Sequence, residues 1–190
     1  MRKASVETEQ PQQTQTLDRM IEDIMSKDQV TLPIEYCTDD LEIICEAIKS
    51  VSSLRKLTFI GEISNERTRN DSFLNLDEFE MLWRSILEGE SPLESVGFLS
   101  MHLQDEHLMS MKNILNEVSN SSVATASITS IVLIGNEFSS ERMKDVSEVF
   151  KNLMKNLKEI VFDDSSNLSK DKHSSPTTSE VEKKLSELTV

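Results

Sequence analysis

A chain of 190 residues with 37% hydrophobic content holds one domain with an apolar core and flanking tails, and is too short for two domains of ordinary size. Four glycines and four prolines are too few to punctuate the many short strands of an all-β sandwich or barrel, which leaves an α-rich or α/β fold. A formal charge of -14, with 34 acidic residues against 20 basic ones, argues against nucleic-acid binding, where phosphates need a basic stripe, and favours a protein partner with a basic surface.

Residues 1 to 15 are rich in Gln, Thr and Glu, carry no apolar period and no signal-peptide core, and are expected to be disordered. From Leu17 the apolar residues Met20, Ile21, Ile24 and Met25 lie on one helical face, with Thr16 as N-cap, so a capping helix is expected. Val30, Leu32 and Ile34 alternate as a strand does, and Pro33 assigns that strand to a sheet edge. Asp39 and Asp40 then cap a second helix with the stripe Leu41, Ile44, Cys45, Ile48 and Val51.

Beyond this point the chain repeats itself. Leu54, Leu57 and Phe59 are apolar at relative positions 0, 3 and 5, and so are Leu93, Val96 and Phe98; Ile128, Ile131 and Leu133; and Leu157, Ile160 and Phe162. The intervals of 39, 35 and 29 residues become nearly equal once polar insertions around Asn65 to Asp71 and Ser119 to Ser127 are set aside. Between the strands run amphipathic helices, first through Phe79, Leu82, Trp83 and Ile86, then Met111, Ile114, Leu115 and Val118, then Val146, Val149, Phe150 and Leu153. One strand with one helix cannot bury both its faces, so such units must stack.

Residues 163–178 are poor in apolar side chains and read as a flexible linker. Over 179–190, Ser179 with Glu182 forms a capping box, and Val181, Leu185 and Leu188 share one side, which describes a further helix or a tail that folds on binding. No run approaches eighteen apolar residues, so no membrane span is expected.

The repeated pattern resembles the leucine-rich-repeat family in its long-repeat variety, similar to ribonuclease inhibitor, with the motif L-x-x-L-x-L-x-x-N-x-L followed by a helix. Ile128-Thr-Ser-Ile131-Val-Leu133-Ile-Gly-Asn136-Glu-Phe138 fills every position, whereas Met101, Glu62 and Ser165 stand where the other units should have asparagine. The resemblance implies a short α/β solenoid over 16–162, with parallel strands on a concave side, helices on the convex side and helical caps. It also implies that the asparagine hydrogen-bonds turn backbone, so three turns must be satisfied differently. A binding role follows from the family, but no partner does.

Side chains alternate along a strand, so Lys56, Thr58 and Ile60, then Ser95, Gly97 and Leu99, then Ser130, Val132 and Ile134, then Glu159, Val161 and Asp163 point to the concave face. Its apolar column of Ile60, Leu99 and Ile134, flanked by Val132, Val161 and Thr58, is expected to be an exposed partner-binding strip, unless a terminal helix covers it. Glu62, Glu159, Asp163 and Asp164 would form an acidic rim. The expected function is a monomeric, cytoplasmic protein-interaction module acting as adaptor, inhibitor or effector. The alternative is a regulator that presents Arg67 and Arg69 from a loop to a partner enzyme.

A catalytic or metal role finds little in the residues. His102, Asp105, Glu106 and His107 cluster without H-E-x-x-H spacing, and Cys37 and Cys45 suit packing in a reducing compartment better than a disulfide, a zinc site or a nucleophile. No P-loop, G-x-G-x-x-G or G-x-S-x-G occurs, so no enzyme, cofactor or metal is expected. The Ser/Thr-rich acidic stretch from Ser174 to Val190 resembles export signals of bacterial type IV secretion effectors, which would place the protein inside a host cell.

Overall fold

Parallel neighbours cannot be joined by a tight hairpin, and each pair of strands here is connected by a segment long enough to hold a helix. The computed structural model describes residues 11–61, 73–118 and 123–163. In chain order the elements are α1 (Pro11–Ser26), β1 (Gln29–Pro33), α2 (Leu41–Ser50), β2 (Lys56–Ile60), α3 (Leu76–Glu88), β3 (Ser95–Leu99), α4 (Asp105–Val118), α5 (Val123–Ser127), β4 (Ser130–Leu133), α6 (Ser140–Leu153) and β5 (Glu159–Phe162). The strands form one five-stranded sheet, wholly parallel, in the order β1-β2-β3-β4-β5.

Register aligns the periodic apolar residues. Val30, Leu57, Val96, Ile131 and Ile160 form one row across all five strands, and Leu32, Phe59 and Phe98 form another. These rows face the helices. Phe59 stacks on Phe98 at 5.7 Å between ring centroids, while Phe79 and Trp83 of α3 meet the same ring edge-on at 5.4 and 6.1 Å. Trp83 is fully buried and donates its indole N–H to the Met111 carbonyl at 3.1 Å, so its polar atom is satisfied inside the core. Helix neighbours follow chain order, α1 on α2, α2 on α3, α3 on α4 and α4 on α6, with α5 resting on α3.

A backbone device recurs at every strand entrance. The Asp28 carbonyl accepts the N–H groups of Arg55 and Lys56 at 2.7 and 3.0 Å, and Arg55 in turn accepts from Glu94 and Ser95 at 2.7 and 3.1 Å. Glu94 accepts from Thr129 and Ser130 at 2.9 and 3.1 Å, and Thr129 from Lys158 and Glu159 at 2.8 and 3.3 Å. One carbonyl with two lone pairs thus locks the register of each following strand. Strand exits repeat as well: the Gly61 N–H donates to Leu99 O and the Ser100 N–H to Ile134 O, both at 2.8 Å. A Cβ on Gly61 would lie 2.0 Å from the Ser100 carbonyl oxygen, so only glycine lets these exits approach.

Asn136 holds the turn after β4. Its amide donates to the carbonyls of Phe98 and Ile134 at 2.8 and 3.4 Å, and its carbonyl oxygen accepts the Leu103 N–H at 3.1 Å. At the matching place in the preceding unit stands Met101, fully buried.

Several expectations change. Helix α1 begins at Pro11, inside the stretch expected to be disordered and ahead of the expected cap Thr16; proline is well suited to a first helical turn and the following glutamines are good helix formers. Asp40 occupies the N-cap of α2, but its side chain makes no capping bond, because two 3-10 turns, Ile34–Tyr36 and Thr38–Asp40, lead the chain into the helix. The second insertion holds the short helix α5 rather than only a loop. Ile160 and Phe162 are half-buried, and among the described residues β5 is an edge of the sheet.

Candidate functional site

The face of the sheet turned away from the helices carries its own apolar cluster, separate from the main core. Thr58, Gly97, Val132 and Val161 lie in register across β2 to β5, and Ile60 pairs with Leu99 one step further on. Leu99, Val132 and Ile134 form the centre of the cluster, with Ile60 and Val161 packed at its margins. Gly97 leaves room that Thr58 fills, since a Cβ there would come within 3.1 Å of the Thr58 methyl.

The alternation rule therefore brings the expected residues together, but not as an open strip. Leu99 is 1% exposed, Val132 6% and Ile134 5%, whereas Thr58, Ile60 and Val161 are half-buried. Leu99 has apolar neighbours on both sides, Ile60 towards β2 and Ile134 towards β4. What a partner can reach on this face is its margin.

Of the expected acidic rim, Glu159 and Asp163 lie among the described residues. Glu159 is exposed and accepts a hydrogen bond from the Ser130 hydroxyl at 2.9 Å. Asp163 instead turns its carboxylate inward and accepts the Gly135 N–H at 2.6 Å, doing for the last strand exit what a backbone carbonyl does at the others. Gly135 has φ of 75°, a left-handed conformation that glycine adopts without penalty. Asp163 stands in the same column as Ile60, Leu99 and Ile134, and a lone acid in that column was the available sign of a different task. Glu62, Asp164, Arg67, Arg69, Ser165 and the stretches 163–178 (beyond Asp163) and 179–190 lie outside the described residues.

The two histidines among the described residues serve the fold. His107 is buried, accepts the Gln104 N–H on Nδ1 at 3.1 Å, places Nε2 3.3 Å from the Leu74 carbonyl and meets Phe79 edge-on at 5.3 Å. Both ring nitrogens are engaged with backbone. His102 pairs through Nδ1 with Glu137 at 3.3 Å and stacks on Phe73, while Asp105 accepts the Ser139 N–H at 2.8 Å. Among the described residues no three His, Cys, Asp or Glu side chains are grouped to hold a metal ion.

Burial pushes the Cys37 thiol up to about 12, with Cys45 adding to the effect, and its Sγ lies 3.8 Å from the Met20 sulfur. Burial also raises Cys45, against a hydrogen bond with Ser85 that works the other way. Neither provides the thiolate that nucleophilic or metal chemistry needs near neutral pH. Among the described residues no helix is long and apolar enough to cross a membrane. The chain matches no protein-family model and no curated protein.

Proposed function

We propose that this chain is a leucine-rich-repeat interaction module, a short capped solenoid without catalytic activity, that binds a partner protein on the helix-free face of its sheet. The observation that carries the reading is the second apolar cluster, Leu99, Val132 and Ile134 with Ile60 and Val161, lying on the side of the sheet opposite the main core. Its half-buried margin of Thr58, Ile60 and Val161 leaves apolar surface on that face that a partner can cover. The recurring carbonyl device at each strand entrance and the three turn bonds of Asn136 support the repeat.

The partner meets Thr58, Ile60 and Val161 at the margin, with Leu99, Val132 and Ile134 as a preformed floor. Exposed Glu159 and the overall acidity steer a basic protein surface to it. Backbone-saturated His107 and the buried cysteines support a role without chemistry of its own.

The test is capture of interacting proteins by the full chain, by Val161→Lys, and by Glu42→Gln as a surface control with the same change in charge. Val161→Lys should lose the captured protein at an unchanged melting temperature, because the side chain is only half-buried. Retained capture by a stable Val161→Lys protein would remove this face from consideration.

A further inference from the structure

The helix-free face of the sheet is ordered in rows that run across the strands. At the strand entrances Gln29, Lys56, Ser95, Ser130 and Glu159 lie in register. The next row on that face is Thr31, Thr58, Gly97, Val132 and Val161, and the last begins with Pro33, Ile60 and Leu99. The entrance row is polar throughout, while the apolar cluster of Leu99, Val132 and Ile134 with Ile60 and Val161 belongs to the other two. The face thus passes from polar to apolar as the strands run from entrance to exit. Rows on one face are two residues apart, about 7 Å, so three rows span about 13 Å, close to the width of one α-helix at about 10 to 12 Å.

The entrance row also carries one charge of each sign. Lys56 and Glu159 stand in it three strands apart, a separation of about 14 Å. Glu159 is exposed and Lys56 half-buried, and among the described residues neither has an ion-pair partner. Ser95 and Ser130 lie half-buried between them. The backbone N–H and C=O groups of a parallel sheet bond in its plane to neighbouring strands, so a segment lying on the face must satisfy its own backbone. An extended segment would leave its amides unpaired there, whereas a helix bonds them internally.

We propose, on the reading of this face as the partner-binding surface, that its occupant is an amphipathic helix of the partner laid across the strands. Its apolar flank lies toward the strand exits and covers Ile60 and Val161, the half-buried aliphatic residues of the cluster. Its polar flank lies over Ser95 and Ser130. A carboxylate of that helix meets Lys56, and between about two and three turns further along a basic side chain meets Glu159. The two charges fix the direction in which the partner lies.

The probe is a labelled Ala/Leu helical peptide of about eighteen residues, with one Glu and one Lys about three turns apart beside its leucine stripe. Fluorescence anisotropy measures its binding to the full chain and to Lys56→Glu, Glu159→Lys, the double variant and Val161→Lys, each checked for an unchanged melting temperature. Each single charge reversal should weaken binding about fivefold, and the double variant should take the peptide with Glu and Lys exchanged as tightly as the parent chain takes the original. Binding that Val161→Lys removes but neither charge reversal changes overturns the proposed direction and leaves the binding face standing. Binding that survives Val161→Lys overturns both. Absence of peptide binding overturns the helix; a captured protein that Val161→Lys releases would then preserve the binding face. Equal binding by the same peptide with its helix broken by a central proline also overturns the helix. So does a dimer in sedimentation that Val161→Lys dissociates, since a second copy would then occupy the face.

Discussion

Asn136 makes three hydrogen bonds to backbone with one amide, joining the exit of β3, the exit of β4 and the start of the segment leading into α4. Asn136→Ala leaves those groups unpaired and should cost about 1 to 3 kcal/mol in urea unfolding, and Asn136→Asp, which sets a carboxylate oxygen against the Phe98 carbonyl, should cost at least as much. The Cys37 thiol is held protonated by burial. Its folded pKa lies above the unfolded value, so the associated stability is complete below pH 9 and is lost as pH rises towards 12. Denaturant midpoints should therefore fall above pH 9, and Cys37→Ala should lessen that fall. At neutral pH a thiol reagent should modify Cys37 and Cys45 only as the chain unfolds.

At the scale of elements, each strand contributes apolar side chains to the helix side and each helix returns a stripe at matching spacing. Leu133, buried at 1%, lies beside Phe162 in register. Leu133→Ala should destabilise by about 2 to 5 kcal/mol through lost burial and a cavity, read from equilibrium unfolding. Helix α3 is started by a reciprocal capping box, with the Glu78 N–H donating to Asn75 Oδ1 at 3.0 Å and the Asn75 N–H donating to Glu78 Oε2 at 2.8 Å. Asn75→Ala should cost about 1 kcal/mol, less than any core truncation, because the freed groups reach water.

For the whole molecule, two apolar layers lie on opposite sides of one sheet, and substitutions on them should behave differently. Leu99→Glu places a carboxylate where 1% of the side chain is exposed, so its melting temperature should drop by several degrees. At the margin, Val161→Lys should leave the melting temperature unchanged and act on partner capture alone. If Leu99→Glu instead melts with the parent chain, the floor is open to water in solution. Raising salt should slow partner association more than it speeds dissociation, as expected for steering by an acidic surface.

Local pattern located the strands and helices and assigned their faces through two periods, two residues for Leu57 and Phe59 and between three and four for Phe79, Trp83 and Ile86, and neither depends on distant contacts. The parallel order was an expectation from the repeat and the family it resembles. Motif spacing likewise singled out Asn136. How far each residue is covered depends on contacts between distant parts of the chain. Alternation assigns Leu99 to a face, but its cluster forms only because Ile60 and Ile134 arrive from 39 and 35 residues away. Ile160 and Phe162 repeat the core spacing and remain half-buried, and the place of β5 at an edge of the sheet among the described residues belongs to the assembly and not to the pattern. Asp163 could be read as a rim charge from its type alone; its bond to the Gly135 N–H exists only because β4 and β5 exit side by side.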